Sequence, residues 1–198
     1  MSGTDNEIYF IEISVSQSKK SIDRRFFISS NSSLLELNET INILFGLPTE
    51  QIVKFSICDK NYYCTEDDED TETEIYTGAK FRIKKLLNVN DSFTYSNFAD
   101  EPGGYLYDIK IIGSTSRDKD KNYPYCASGQ GNNPPNFLHS INEYPYFLEL
   151  YYEKIVNSKS SEAFDFFGEM ITKDDFDPNN FDLDEVNLNL HEHFKSKN

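Results

Sequence analysis

Cys126, followed by His139, is the pair whose residue types could make a nucleophile and its base. A thiol needs a neighbouring base or a lowered pKa to act in that way. No protease-type signature surrounds this cysteine, so a structural thiol is the expectation. Between the two lies Gly129-Gln130-Gly131, which invites comparison with a phosphate loop. No third glycine and no Lys-Ser/Thr pair follows it, and Pro134-Pro135 removes two N–H donors that an anion would use. These glycines are expected to form turns. His191 and His193, two residues apart, would project to different sides of a helix, which is not a zinc pair. Cys58 and Cys64 flank a turn, and two thiolates alone do not make a structural zinc site. The densely acidic run Thr65–Glu74 has no glycine turn and no spaced bidentate glutamate of the calcium-loop kind. Residues 65–76 are therefore expected to be a solvated acidic loop. No catalytic residue, metal or cofactor is expected.

What remains is polar and aromatic. Asp100 and Asp108 bracket Tyr105 and Tyr107, and Asn132, Asn133 and Asn136 follow in the Gly/Pro-rich stretch Tyr123–Leu138. Tyrosines and amides suit hydrogen-bonded recognition of a small polar ligand or a peptide. The candidate surface comprises Asp100, Tyr105, Tyr107, Cys126, Gly129, Gly131, Asn132, Asn133, Pro134, Pro135 and Asn136. The competing reading is that the aromatics simply pack beneath the proline-rich segment.

Composition narrows the function classes. With 34 acids against 19 bases, the net charge of −15 weighs against nucleic acid or an anionic membrane as a partner. No apolar run approaches the about 18 residues of a membrane span. The N-terminal residues are polar and do not resemble a signal peptide. Three cysteines are an odd number and point to free thiols in a reducing cytoplasm.

The elements that must position these residues follow from periodicity. Ile8–Ser16 alternates, with Tyr9, Ile11, Ile13 and Val15 on one face, and with Arg24–Ser29 predicts an opening hairpin. Ser33 and Glu36 form a capping-box pair before the stripe Leu34, Leu37, Ile41, Leu44 and Phe45, and Gly46 with Pro48 stops that helix. Ile52–Cys58 and Tyr62–Cys64 predict strands around a turn at Asp59-Lys60-Asn61, and Thr77–Leu87 predicts a short helix. Ser92–Phe98 and Tyr105–Ile112 predict paired antiparallel strands. Tyr123–Leu138 is too rich in Gly, Asn and Pro for an interior strand or helix and predicts a shaped loop. Helices are expected at Tyr144–Asn157, at Glu162–Met170, and after Asp182, where Leu183, Val186, Leu190 and Phe194 share a face. The expected fold is α+β, an antiparallel or mixed sheet packed against helices. Residues 1–198 form one domain whose C-terminal third (residues 144–194) is helical.

Three segments in order resemble the plasmid pRiA4b ORF-3-like family, whose members are also labelled transposon passenger proteins. These are Phe93-x-Tyr95 with Phe98-Ala99-Asp100; Tyr123-Pro124-x-Cys126-x-x-Gly129-x-Gly131-x-x-Pro134-Pro135; and Phe176-Asp177-Pro178-x-x-Phe181-Asp182 with Asn187. The resemblance spans roughly residues 8 to 190 and implies an α+β fold with no settled biochemistry. Asn136-Phe137 stands where the family carries two acids, His139-Ser140 where it carries Gly-Gly, and Tyr105 and Tyr107 where it carries Trp and His.

The functional expectation is a non-catalytic interaction or small-ligand-binding module in the cytoplasm, its partner a protein or a small polar ligand. One alternative is a metal-dependent enzyme acting on nucleic acid and linked to mobile elements. Another is a structural or assembly subunit.

Overall fold

The computed structural model describes residues 6–16, 18, 21–47, 49, 52–64, 76–77, 80–97, 105–135, 137–138, 141–157, 163–166, 168–172 and 174–195. The acidic run, Asp100, Asn136 and His139 lie outside these residues.

The opening hairpin forms as its alternation requires. β1 (Glu7–Val15) pairs antiparallel with β2 (Asp23–Ser29), and Tyr9, Ile11, Ile13 and Val15 are buried. α1 (Leu34–Phe45) follows, and both halves of the predicted capping box are present. The Ser33 hydroxyl accepts from the Glu36 N–H at 3.1 Å, and the Glu36 carboxylate accepts from the Ser33 N–H at 2.6 Å. Gly46, with φ +62°, ends the helix in the left-handed conformation that a side chain disfavours.

β3 (Val53–Ile57) and β4 (Lys60–Cys64) form the next hairpin. Its turn sits one residue earlier than predicted, because Cys58 (φ +47°) and Asp59 (φ +63°) supply the two positive-φ positions of a tight hairpin turn. β5 (Tyr76–Thr77) pairs parallel with β4. The helix predicted over Thr77–Leu87 shrinks to α2 (Ile83–Leu86). Phe81 and Arg82 are held extended against the start of α1, where the Leu34 N–H donates to the Phe81 carbonyl and Arg82 bridges Ser33. β6 (Ser92–Asn97), β7 (Leu106–Ser116) and β8 (Tyr125–Gln130) complete an eight-stranded sheet of order β5-β4-β3-β6-β7-β1-β2-β8. All its pairings except β4–β5 are antiparallel.

Two C-terminal readings change. Six residues of the predicted shaped loop form the strand β8, since a glycine-bearing segment is tolerable at a sheet edge where one side alone must pair. The helix predicted over Glu162–Met170 is a hairpin of β9 (Ala163–Phe166) and β10 (Glu169–Thr172), turning at Gly168 with φ +93°. Phe164 and Phe166 are buried while Asp165 is exposed. That is a period of two, where the expected helix would draw its stripe through Phe164, Phe167 (which lies outside the described residues) and Ile171. α3 (Tyr144–Tyr151) does form and runs into a π-helical turn, Tyr152–Val156. α4 (Leu183–Lys195) is capped as predicted, the Asp182 carboxylate accepting from the Asp184 and Glu185 N–H groups at 3.0 and 2.9 Å.

The fold is α+β, with helices in the C-terminal third. Inward residues of the sheet, the apolar stripe of α1, and Leu190 and Phe194 of α4 share one buried cluster. Phe147 of α3 extends it, ringed by Phe137, Tyr151, Phe164, Phe166 and Phe176 at centroid distances of 5.3 to 6.2 Å.

Candidate functional site

The second and third motif segments meet at a residue outside both, Arg24 of β2. The alternation that turns Phe26 and Ile28 of β2 inward turns Arg24 inward as well, and Arg24 is 3% exposed. Its donors reach backbone carbonyls rather than a carboxylate. Nε donates to Leu44 at 3.0 Å, Nη1 to Asp23 and Gln130 at 2.8 Å each, and Nη2 to Gly131 at 2.9 Å. The guanidinium is flanked by two rings, 4.8 Å from the Phe45 centroid and 4.1 Å from that of Phe181. Burial lowers its pKa to about 10, with Cys126 and Asp23 pulling the other way. It therefore stays protonated at neutral pH, and a cation against the last turn of α1 suits the helix dipole.

The glycines of β8 and its exit now have specific reasons. A Cβ on Gly129 would lie 2.7 Å from the Arg24 side chain and 2.8 Å from the Phe181 ring. Gly131 has φ +71°, and a Cβ there would sit 2.8 Å from the Ser21 carbonyl oxygen. Gly131→Ala is expected to cost roughly 2–3 kcal/mol, from left-handed strain together with a backbone contact that cannot rotate away. Gly129→Ala should cost less, since its neighbours are side chains. Denaturant unfolding of the two variants tests that order, and equal losses would contradict it.

The third motif closes the edge of the sheet. The Asn132 N–H donates to the Pro178 carbonyl at 3.2 Å. Asn187 of α4 treats Cys126 as a neighbouring strand would: its Oδ1 accepts from the Cys126 N–H at 2.8 Å and its Nδ2 donates to the Cys126 carbonyl at 3.0 Å. An edge that would otherwise present open backbone groups is occupied by α4 at that point.

The candidate residues are brought together, but mostly inside the protein. Tyr107 is fully buried, and its hydroxyl donates to Asn133 Oδ1 at 3.3 Å. Tyr105 is 3% exposed, its hydroxyl within reach of the Pro135 and Leu138 carbonyls at 3.2 and 3.4 Å. Tyr95, beside Tyr107 at 5.5 Å between centroids, donates toward Asn38 and Asn42 of α1. Burial raises the pKa values of all three hydroxyls, keeping them neutral hydrogen-bond donors. Asn133, Pro134 and Gly131 are buried as well, while Asn132, Pro135 and Gly129 are partly exposed. The tyrosines thus fasten the proline-rich segment from below instead of lining an open pocket.

Cys126 is fully buried, and burial pushes its thiol up to about 11 despite Arg24 and the Ser128 backbone pulling it down. A thiol so placed is neutral at physiological pH and cannot serve as the nucleophile first considered. Cys58 is exposed, Cys64 is buried, and both are free. Cys64 sits opposite Val53 at the far end of the hairpin from the Cys58 turn. Among the described residues, no three His, Cys, Asp or Glu side chains converge as metal ligands do. His193 reaches instead to Glu39 of α1, 3.4 Å away.

The opposite face of the sheet is polar and reachable. Phe10 stacks on Phe27 at 4.4 Å, and beside them the Arg25 guanidinium meets the Glu12 carboxylate at 2.7 Å, both side chains over a third exposed. Next to this pair lies a hollow of about 510 Å³ bounded by Glu12, Ser14, Asp23, Arg25, Gly129 and Gln130. Gln130 Nε2 donates to Asp23 at 2.7 Å and to Ser21 at 2.6 Å. A second hollow of about 370 Å³ continues across Ser14 to Thr94, Asp108 and Lys110. Part of the signal was available in the sequence: Glu12, Ser14, Asp108 and Lys110 are outward positions of strands whose inward positions were identified, whereas Asp23 falls in an expected turn and Gly129 and Gln130 in the expected loop.

No helix among the described residues is long and apolar enough to cross a membrane. No curated protein matches the chain. A solved structure is similar, a protein of unknown function, MM3350, from Methanosarcina mazei Go1. It has a TM-score of 0.73 and 17% identity, over 93% of this chain and 99% of that one. At that identity the likeness speaks for the fold. The model of the plasmid pRiA4b ORF-3-like protein family matches residues 7–185, and the chain belongs to that family.

Proposed function

We propose that this protein is a non-catalytic binding module that takes a small polar ligand on the open face of its sheet. The observation that carries this reading is the hollow beside β8, where Glu12, Asp23, Arg25 and Gln130 present charges and amides of both hydrogen-bonding senses on rigid strands. Strand-borne groups hold their geometry better than loop-borne ones. The candidate nucleophile Cys126 is sequestered and neutral, which favours binding over catalysis. Gly129 is common to the first candidate surface and to this one; the tyrosines act beneath it as scaffold. An exposed free thiol at Cys58 is in keeping with a reducing, cytoplasmic location.

A thermal-shift screen of the full chain against amino acids, sugars and small dicarboxylates tests the reading. A hit should lose its stabilisation in Arg25→Ala and in Gln130→Ala. The unliganded melting temperature should change little, because an exposed pair such as Arg25–Glu12 adds little to stability. A hit that survives both substitutions binds elsewhere and removes this site. The absence of any hit removes the ligand class.

A further inference from the structure

At the far end of β8, away from the hollow just described, α4 leans against the connector that leads out of β7. Between them is a cavity of about 160 Å³. Its apolar lining includes Tyr123, Pro124 and Phe194, of which Pro124 and Phe194 are buried. Its polar lining is Arg117, Asn122, His191 and Lys195, and among the described residues that bound it there is no carboxylate. In a chain with 34 acids and 19 bases, a cavity bordered by an arginine and a lysine and by no acid among the described residues stands apart.

Both cations are exposed, and Arg117 is the anchored one. The Arg117 backbone N–H donates to the Asn6 carbonyl at 2.6 Å, and its guanidinium lies 5.4 Å from the Tyr123 ring centroid. The nearest acid in sequence, Asp118, turns its carboxylate to its own loop, accepting from the Asp120 N–H at 3.0 Å. The Asp118 N–H meanwhile donates to the Tyr123 hydroxyl at 3.4 Å, which fixes the ring. Neither Arg117 nor Lys195 forms an ion pair with another described residue.

We infer that this cavity is a binding site for a small organic carboxylate, its apolar body against Tyr123 and Phe194 and its carboxylate between Arg117 and Lys195. Arginine offers a planar fork that matches a carboxylate in two bonds, and Asn122 adds an amide donor. A water's share of liquid volume is about 30 Å³, so the cavity admits one ring or a short chain and no nucleotide. The carbonyl end of α4 carries a partial negative charge close by, which keeps the affinity modest.

Benzoate titrated into the full-length chain at low ionic strength is the test, read by heat or by chemical shift. A saturable dissociation constant on the order of 1 mM is expected. Arg117→Gln and Lys195→Gln should each weaken it by about fivefold or more, with melting temperatures within a few degrees of the parent. Benzyl alcohol keeps the ring without the charge, and inorganic phosphate keeps the charge without the ring; each should bind more weakly than benzoate. Raising the salt to about 0.5 M should weaken the benzoate complex, since the cations are on the exposed side. Failure to saturate by about 20 mM, a level at which a complex this weak would already be largely formed, overturns the inference. So does benzoate binding that both glutamine variants leave intact, or phosphate binding as tight as that of benzoate. None of these residues belongs to the hollow at Arg25 and Gln130, so the two sites stand or fall separately.

Discussion

Raised above pH 10, the protein is expected to unfold cooperatively between about pH 10.5 and 12. Four tyrosines, Tyr95, Tyr105, Tyr107 and Tyr144, and two thiols, Cys64 and Cys126, have pKa values pushed upward, burial being the largest cause for each. Their ordinary values, reached in the unfolded chain, are 10.0 for tyrosine and 9.0 for cysteine. Between the unfolded and the folded pKa the unfolded chain has released a proton that the folded protein still holds. Stability therefore falls as pH rises through that window. Each group contributes a slope of about 1.4 kcal/mol per pH unit. With Cys126 already half ionised in the folded protein, the six together approach roughly 7 kcal/mol per unit near pH 11, against a total stability on the order of 5–15 kcal/mol. Arg24 acts in the opposite sense: its folded pKa of about 10 lies below the ordinary arginine value, so it contributes stability that grows with rising pH across that interval. One group of that sign leaves the net slope steeply negative. The measurement is far-ultraviolet circular dichroism alongside tyrosinate absorbance during an alkaline titration. Exposed tyrosines should ionise gradually near pH 10, and the buried ones in one step coincident with loss of secondary structure. Intact secondary structure at about pH 12 would refute the assignment of these hydroxyls to the core.

Arg24→Ala is expected to cost on the order of 4 kcal/mol or more, the largest loss of any single substitution considered. The substitution removes donors from the Leu44, Gln130 and Gly131 carbonyls and leaves a void between the rings of Phe45 and Phe181. A buried acceptor left without its partner costs about 1–3 kcal/mol, and the void adds to that. Two further variants separate the causes. Arg24→Met fills much of the volume without donors, and Arg24→Lys keeps the charge but cannot fork to carbonyls on three segments. If the hydrogen bonds dominate, methionine should recover little and lysine only part. A methionine variant as stable as the parent would mean that packing, not the carbonyl network, holds these segments together. The variants should also loosen α4, because Phe181 immediately precedes the cap of that helix. Hydrogen exchange of the Leu190 and Phe194 amides reads that effect directly.

Residue type and local period were sufficient to place much of this protein. The β1–β2 hairpin, the capping box of α1, its left-handed glycine, the β6–β7 pair and the cap of α4 rest on interactions among residues close in sequence or on a strict alternation. The order of the three motif segments was also sufficient to identify the family. Where two periodicities competed, local information failed. Phe164 and Ile171 fit a helical stripe, yet across the turn at Gly168 they are strand partners, and only the aromatic ring around Phe147 selects the hairpin. The Gly/Pro-rich stretch showed the same limit. Its glycines looked like free turn formers, whereas Gly129 is required by a side chain from β2 and one that precedes α4, far away in sequence.

The amino-acid sequence by itself determined the α+β class, the acidic character and the inward and outward faces of the strands, because alternation and composition are local properties. Only the tertiary structure decided where Cys126, the glycines, Tyr105 and Tyr107 lie and what they touch. It buried the thiol, seated an arginine on three segments' carbonyls, and turned the tyrosine hydroxyls toward the proline-rich segment. The reason is physical: burial and the identity of a hydrogen-bond partner are set by which distant segments meet, and no spacing within one segment carries that information.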